Sequence, residues 1–203
     1  MRKIQNIALA ALALAVSACS TAPTAVSRNE PAALPLVARA NPVDFSIKDV
    51  RISVPKTLII SEENIYYPTA DIVWHGEAYG NRYDQVGAIF NAAMKHGVQD
   101  MKGHQKVYLD VEVTRFHSLT KRARYTVGGV HSIKFVYSLR DAKTNALIGK
   151  PRLVSADLKA FGGNRALKAE HKGLTQKVRI MSHLASLIKT EINATQERLS
   201  QTN

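Results

Sequence analysis

Lys106-Val107-Tyr108-Leu109-Asp110-Val111-Glu112-Val113-Thr114 alternates apolar and polar side chains without a break. Successive side chains of a strand point to opposite faces, so Val107, Leu109, Val111 and Val113 share one face and Tyr108, Asp110, Glu112 and Thr114 share the other. The pattern predicts a half-buried strand from Lys106 to His117, which needs neighbours and a cover. The chain after it supplies both. Val130 to Arg140 reads as a second strand with Ile133, Phe135 and Tyr137 inward, and Asp141 to Asn145 reads as a turn. Leu147 to Ala160 reads as a third, with Val154, Ala156 and Leu158 on one face, so the three form an antiparallel meander. Phe161-Gly162-Gly163-Asn164 breaks it. A long helix is expected from about Arg165 or Lys168 to Leu199, with the stripe Leu174, Val178, Met181, Leu184, Ala185, Ile188 and Ile192. Gly173 is a candidate interruption of its first turns.

Working back from the same strand, Phe45 and Ile47 alternate, then Val50, Ile52 and Val54 alternate on the opposite parity. One slip in a period of two predicts a strand with a bulge at Lys48-Asp49, ended by Pro55. Thr57 to Ile60 and Asp71 to Trp74 are candidate short strands, with a loop from Glu62 to Thr69 between them. Asn81 is placed to cap a helix from Arg82 to about His96, whose apolar face is Val86, Ile89, Phe90, Ala93 and Met94. Gly97 is expected to terminate it as a C′ glycine. Trp74, the single tryptophan, is expected to plug the core between that helix and the sheet; an exposed anchor for a partner is the alternative. The order predicts an α+β fold: an antiparallel sheet of about four to five strands with two amphipathic helices on one face. The other face carries Asp110, Glu112, Lys134, Arg140 and Lys159 and is expected to be wet.

The amino terminus has a different character. Arg2 and Lys3 precede an apolar run from Ile4 to Val16, and Val16-Ser17-Ala18 lead into Cys19, the only cysteine. This is the layout of a secretory signal, and the run is shorter than the ~20 apolar residues of a spanning helix. Val16-Ser17-Ala18-Cys19 resembles a bacterial lipobox. The resemblance implies cleavage before Cys19, diacylglycerol on its sulfur and attachment to a membrane by acyl chains; an ordinary signal cut after Ala18 is the alternative. By the same resemblance Ser20, rather than an aspartate, implies the outer membrane, facing the periplasm. Pro23, Pro31, Pro35 and Pro42 mark residues 20–42 as a stiff tether with little to bury, able to extend ~60–70 Å at ~3.1 Å per residue. The expected organisation is a signal at 1–18, acylated cysteine and tether at 19–42, and one α+β domain at 43–203.

The 203 residues carry a formal charge of +12, of which Arg2 and Lys3 supply two, leaving +10 for the mature chain. The excess is one-sided. Residues 100–180 hold 17 Lys and Arg against 6 Asp and Glu, whereas residues 41–99 hold 5 against 7. Such a field attracts anionic lipid, lipopolysaccharide, cell-wall polymer or an acidic protein; in an exported protein nucleic acid is not an expected partner. Lys121, Arg122 and Arg124, in the connection between two strands, with Lys168 and Lys172, are the candidate anionic-ligand contacts. No catalytic residues are expected: Asp110 and Glu112, on one strand face, read as offsetting nearby Lys and Arg on a solvated sheet face, with an acid–base carboxylate pair as the alternative. The lipobox resemblance implies that the thiol is acylated, the seven histidines show no metal-binding spacing, and the glycine pairs 128-129 and 162-163 lack phosphate-loop context. No cofactor or metal is expected. His117 and His131 are placed to face each other across the meander and read as surface residues.

Asp71-Ile72-Val73-Trp74, followed by Asn81-Arg82-Tyr83-Asp84-Gln85-Val86, resembles a domain-of-unknown-function family of small Gram-negative envelope lipoproteins. The resemblance implies a lipid-anchored, non-enzymatic protein of the cell envelope. Such a protein would be a structural, assembly or transport-accessory factor that binds another envelope protein; binding of an anionic lipid or polymer through the basic surface is the alternative.

Overall fold

The structure, a computed structural model, describes residues 43–202. Cys19, the signal and the tether lie outside the described residues. The alternating stretch forms the central strand β3, Gln105–His117, and its apolar side chains Val107, Leu109, Val111 and Val113 are all buried. β1, Phe45–Ser53, lies beside it with the register shift between Ile47 and Asp49 that the slipped alternation predicts. β4, Gly129–Asp141, and β5, Leu147–Ser155, complete the path β1-β3-β4-β5. Two short strands extend one end: β2, Ile72–Val73, takes the place of β1 beside β3, and β6, Leu158–Ala160, takes the place of β5 beside β4. The expected third meander strand is thus split in two, and Thr57 to Ile60 contributes only a bridge from Ile60 to Ile72.

The sheet is mixed. β3, β4 and β5 are antiparallel, but β1 and β2 run parallel to β3. Parallel neighbours need a long crossover, and α1, Arg82–Val98, lies between β1 and β3 in the chain. Asn81 caps α1 as expected, accepting from the N–H groups of Tyr83 and Asp84. Gly97 does not end it. It is buried inside the helix, where a Cβ would sit 2.4 Å from the carbonyl oxygen of Ala185, so its role is to let two helices touch.

The expected long C-terminal helix is two: α3, Gly163–His171, and α4, Gln176–Thr202, separated at Gly173, whose φ is +75°. Helices α1 and α4 cover one face of the sheet. The stripe that α4 buries is Ile180, Leu184, Ile188 and Ile192, four residues apart, with Ala185 beside it; Met181 is half-buried, and Leu174, which precedes the helix, and Val178, in its first turn, are exposed. Between helices and sheet, the rings of Trp74, Phe116, Phe90 and Phe135 meet edge to face in sequence, at 5.5, 6.1 and 5.6 Å between centroids. Trp74 is fully buried and its Nε1–H donates to Glu77 at 2.8 Å, as a core plug with a satisfied polar tip. The opposite face is wet: Asp110 accepts from both Arg51 and Arg140 there, on neighbouring strands.

Candidate functional site

β1 and β3 start together, with Phe45 opposite Gln105, at the end where the described chain enters. The backbone N–H of Val43 donates there to Ser200 Oγ near the end of α4. This end is called proximal. β3 spans ~40 Å at ~3.3 Å per residue, and its far end, with His117, Ser132, β2 and β6, is distal.

The distal end is built from loops, yet firmly tied. Arg82, almost wholly buried, donates to Glu62 at 2.7 and 2.9 Å, to Gln85 at 2.6 Å and to the carbonyl of Ala78 at 3.1 Å. Its hydrogen bond holds the Glu62 carboxyl below the usual carboxylate range, against the burial that opposes this. Glu77, besides Trp74, accepts from Lys177 of α4 at 2.8 Å. Thr120 caps the one-turn helix α2, Lys121–Arg124, accepting from the N–H of Ala123 while donating its own proton to the carbonyl of Ile65.

The structure corrects the predicted basic cluster. Lys121, Arg122, Lys168 and Lys172 are exposed, but Arg124 is buried and both its Nε and Nη2 donate to Glu170 of α3. That pair brings α2 and α3 to the same end of the sheet while removing Arg124 from solution. A different basic group appears instead. The guanidinium carbons of Arg165 and Arg179 lie 4.0 and 3.6 Å from the centroid of the Phe161 ring. In the sequence Phe161 belongs to the break after the third strand, and nothing in the spacing of Arg165 and Arg179, on two helices, signals that they share a ring.

His131 is likewise not a surface residue. It is fully buried, with Nδ1 3.1 Å from Ser118 Oγ, and Ser118 donates onward to Gln176 at 3.3 Å. Burial first, then the charges of Arg179 and Arg124, push its pKa down to about 3. A serine and a neutral histidine here resemble a nucleophile and base, but Ser118 is itself 2% exposed and bonded to a buried glutamine, so no substrate reaches it. His117 is partly exposed and hydrogen-bonds Arg115 and the carbonyl of Ala70, away from His131. Asp110 and Glu112, a carboxylate pair on one strand face, border an open groove of about 450 Å³ with Arg51 and Arg140. Among the described residues no group of acidic, histidine or cysteine side chains is arranged to hold a metal, and no helix is long and apolar enough to cross a membrane.

An open groove lies at the distal end. It measures about 730 Å³ and lies on the helix-free face, between Ile59, Tyr67 and Pro68 on one side and Val130 on the other, with Arg115 and His117 in its floor. Tyr67 is 86% exposed, Val127 72%, Ile59 64% and Val130 54%. Among the described residues, strongly exposed large apolar side chains gather at this end, apart from Leu147 and Leu153 on β5.

A family model described only as a family of unknown function, DUF6778, matches residues 45–203. The chain belongs to this family. The DUF6778 match covers the whole arrangement just described, from β1 to the end of α4. No curated protein matches the chain. Among solved structures, the DUF6778 chain is similar to a DUF330-family protein of Xanthomonas campestris, at 12% identity and a TM-score of 0.47, over 78% of this chain and 88% of that one. It is also similar to a putative lipoprotein of Caulobacter crescentus, at 13% identity and a TM-score of 0.37, over 59% and 86%. A third is PelC of Paraburkholderia phytofirmans, solved as a dodecamer, at 11% identity and a TM-score of 0.28, over 70% and 86%. At such identities and scores those proteins lend this one no function.

Proposed function

We propose that this DUF6778 protein is a lipid-anchored, non-enzymatic lipoprotein of the outer membrane, facing the periplasm, that binds another envelope protein through its distal end. The observation that carries the reading is the gathering of exposed aromatic and aliphatic side chains there, Tyr67, Val127, Ile59 and Val130 above all. Exposed apolar surface costs solubility unless something covers it, and contiguous patches of it mark interaction sites. Aromatic residues mixed with arginine, as in Arg122 beside the Tyr66 ring at 5.4 Å, are the composition enriched in protein interfaces. The ties through Arg82, Thr120 and Arg124 hold these loops in place before binding, which lowers the entropy lost on association. The resemblance of Val16-Ser17-Ala18-Cys19 to a lipobox supports the anchor, and Ser20 supports the outer membrane.

A photo-crosslinking amino acid at Tyr67 or Val127, in intact cells, is expected to capture one discrete envelope protein, whereas the same group at proximal Thr144 captures none. Equal capture at both ends, or none at either distal position, overturns the reading. Cys19→Ser is expected to release the protein from membranes or leave an uncut precursor; unchanged membrane attachment would refute the anchor.

A further inference from the structure

We infer that Arg165 and Arg179, held on the ring of Phe161, form a binding site for a phosphate group. Arg179 is partly buried and its Nη2 donates to the carbonyl of Lys159 at 2.7 Å, so its guanidinium is oriented from the backbone as well as by the ring. Arg165, exposed on the first turn of α3, completes the pair. Among the described residues neither makes a salt bridge; the one carboxylate of α3, Glu170, is engaged by Arg124. Two cations gathered without a counter-charge repel each other. Burial first, and then the charges of Arg165 and Arg124, lower the pKa of Arg179. Lys159 and Lys168, both exposed, add positive charge on the neighbouring β6 and α3, and α3 has no acidic residue in its first turn.

The chemistry selects the ligand. A guanidinium is a planar fork that donates two parallel hydrogen bonds to a phosphate or carboxylate, and it stacks on an aromatic face without losing those donors. Two forks fixed on one ring match the several acceptor oxygens and the double charge of a phosphate monoester better than a single carboxylate. The phosphate could be borne by a lipid headgroup or by a free phosphate ester, and the assay below separates the two. This inference stands apart from the protein-partner reading, since it concerns α3, α4 and Phe161 and not the Tyr67 groove.

The test is calorimetric titration of the full chain in nonionic detergent with inorganic phosphate, glycerol 3-phosphate and short-chain phosphatidic acid, at low and high salt. Wild type should bind at low salt and weaken as salt rises. Arg165→Gln with Arg179→Gln should lower affinity about tenfold or more, the size of one lost charge-assisted hydrogen bond. Arg165→Gln alone, an exposed change that spares the fold, should lower it several-fold, and Lys143→Gln, in the exposed turn at the proximal end, should leave it unaltered. Tighter binding of phosphatidic acid than of glycerol phosphate supports a lipid headgroup; equal binding supports a free ester. No binding by wild type, or equal binding by wild type and Arg165→Gln, overturns the site.

Discussion

The proximal and distal ends of the sandwich use charge in opposite ways. At the proximal end ionic groups lie in water: Asp141 accepts from the N–H groups of Lys143 and Thr144 in an exposed turn, and exposed His104 pairs with Asp44. At the distal end arginines go inside. Arg82 and Arg124 are 4% and 6% exposed, while tyrosines and valines beside them stand in solvent. A surface pair contributes little to stability, whereas a buried arginine that loses its partner leaves a costly unpaired charge. The inversion teaches that the distal loops hold their shape by internal ion pairs and leave their apolar side chains free for contact.

The largest expected effect would break both ends at once. Leu184→Asp places a carboxylate in the fully buried seam between α4 and the sheet. An unpaired buried charge costs several kcal/mol, comparable with the ~5–15 kcal/mol that holds a domain together. Loss of cooperative thermal unfolding is the expected outcome, and a wild-type melting curve would mean that α4 does not pack as described.

A smaller change should separate the ends. Arg124→Met strands Glu170 and is expected to cost about 1–3 kcal/mol. Amide exchange should speed up in α2 and α3, with the proximal parts of β3 and β4 unaffected. Uniform acceleration would show that the distal end is not a separate unit of stability.

Acid should also act first on the distal end. His131 is neutral when folded, with its pKa pushed to about 3 from 6.5, so the unfolded chain takes up a proton there that the folded chain refuses. The stability this histidine contributes is complete above pH 6.5 and is lost as pH falls toward 3, by about 1.4 kcal/mol per pH unit. His75 and His117 are shifted the same way, by burial first. Denaturant midpoints measured across that range should show a slope that His131→Gln reduces; an unchanged slope would remove the claim.

The smallest effect is expected where sequence reading placed the ligand. Lys121→Gln with Arg122→Gln removes two exposed charges and should change stability by less than about 0.5 kcal/mol in a thermal melt. A larger loss would put these two residues with Arg124 among the structural cations.

Local pattern alone was enough for β1, β3 and β4, the bulge at Lys48-Asp49 and the Asn81 cap, because each follows from periodicity or from a side chain meeting its own backbone within a few residues. The family was legible too, in Asp71 to Trp74 and Asn81 to Val86. Tertiary structure alone decided the rest. The parallel course of β1 depends on α1 carrying the chain back to the end of the sheet where β1 began, so that β3 runs the same way, and alternation is the same for either direction. Gly97 looks like a helix stop until Ala185 of another helix is seen against it. Arg124 looks like any exposed cation until Glu170, 46 residues on, turns it inward. Arg165 and Arg179 look unrelated until two helices set both on Phe161. Partners distant in sequence leave no local trace, since a charge or a glycine carries the same signal in its own segment whatever the fold later brings beside it.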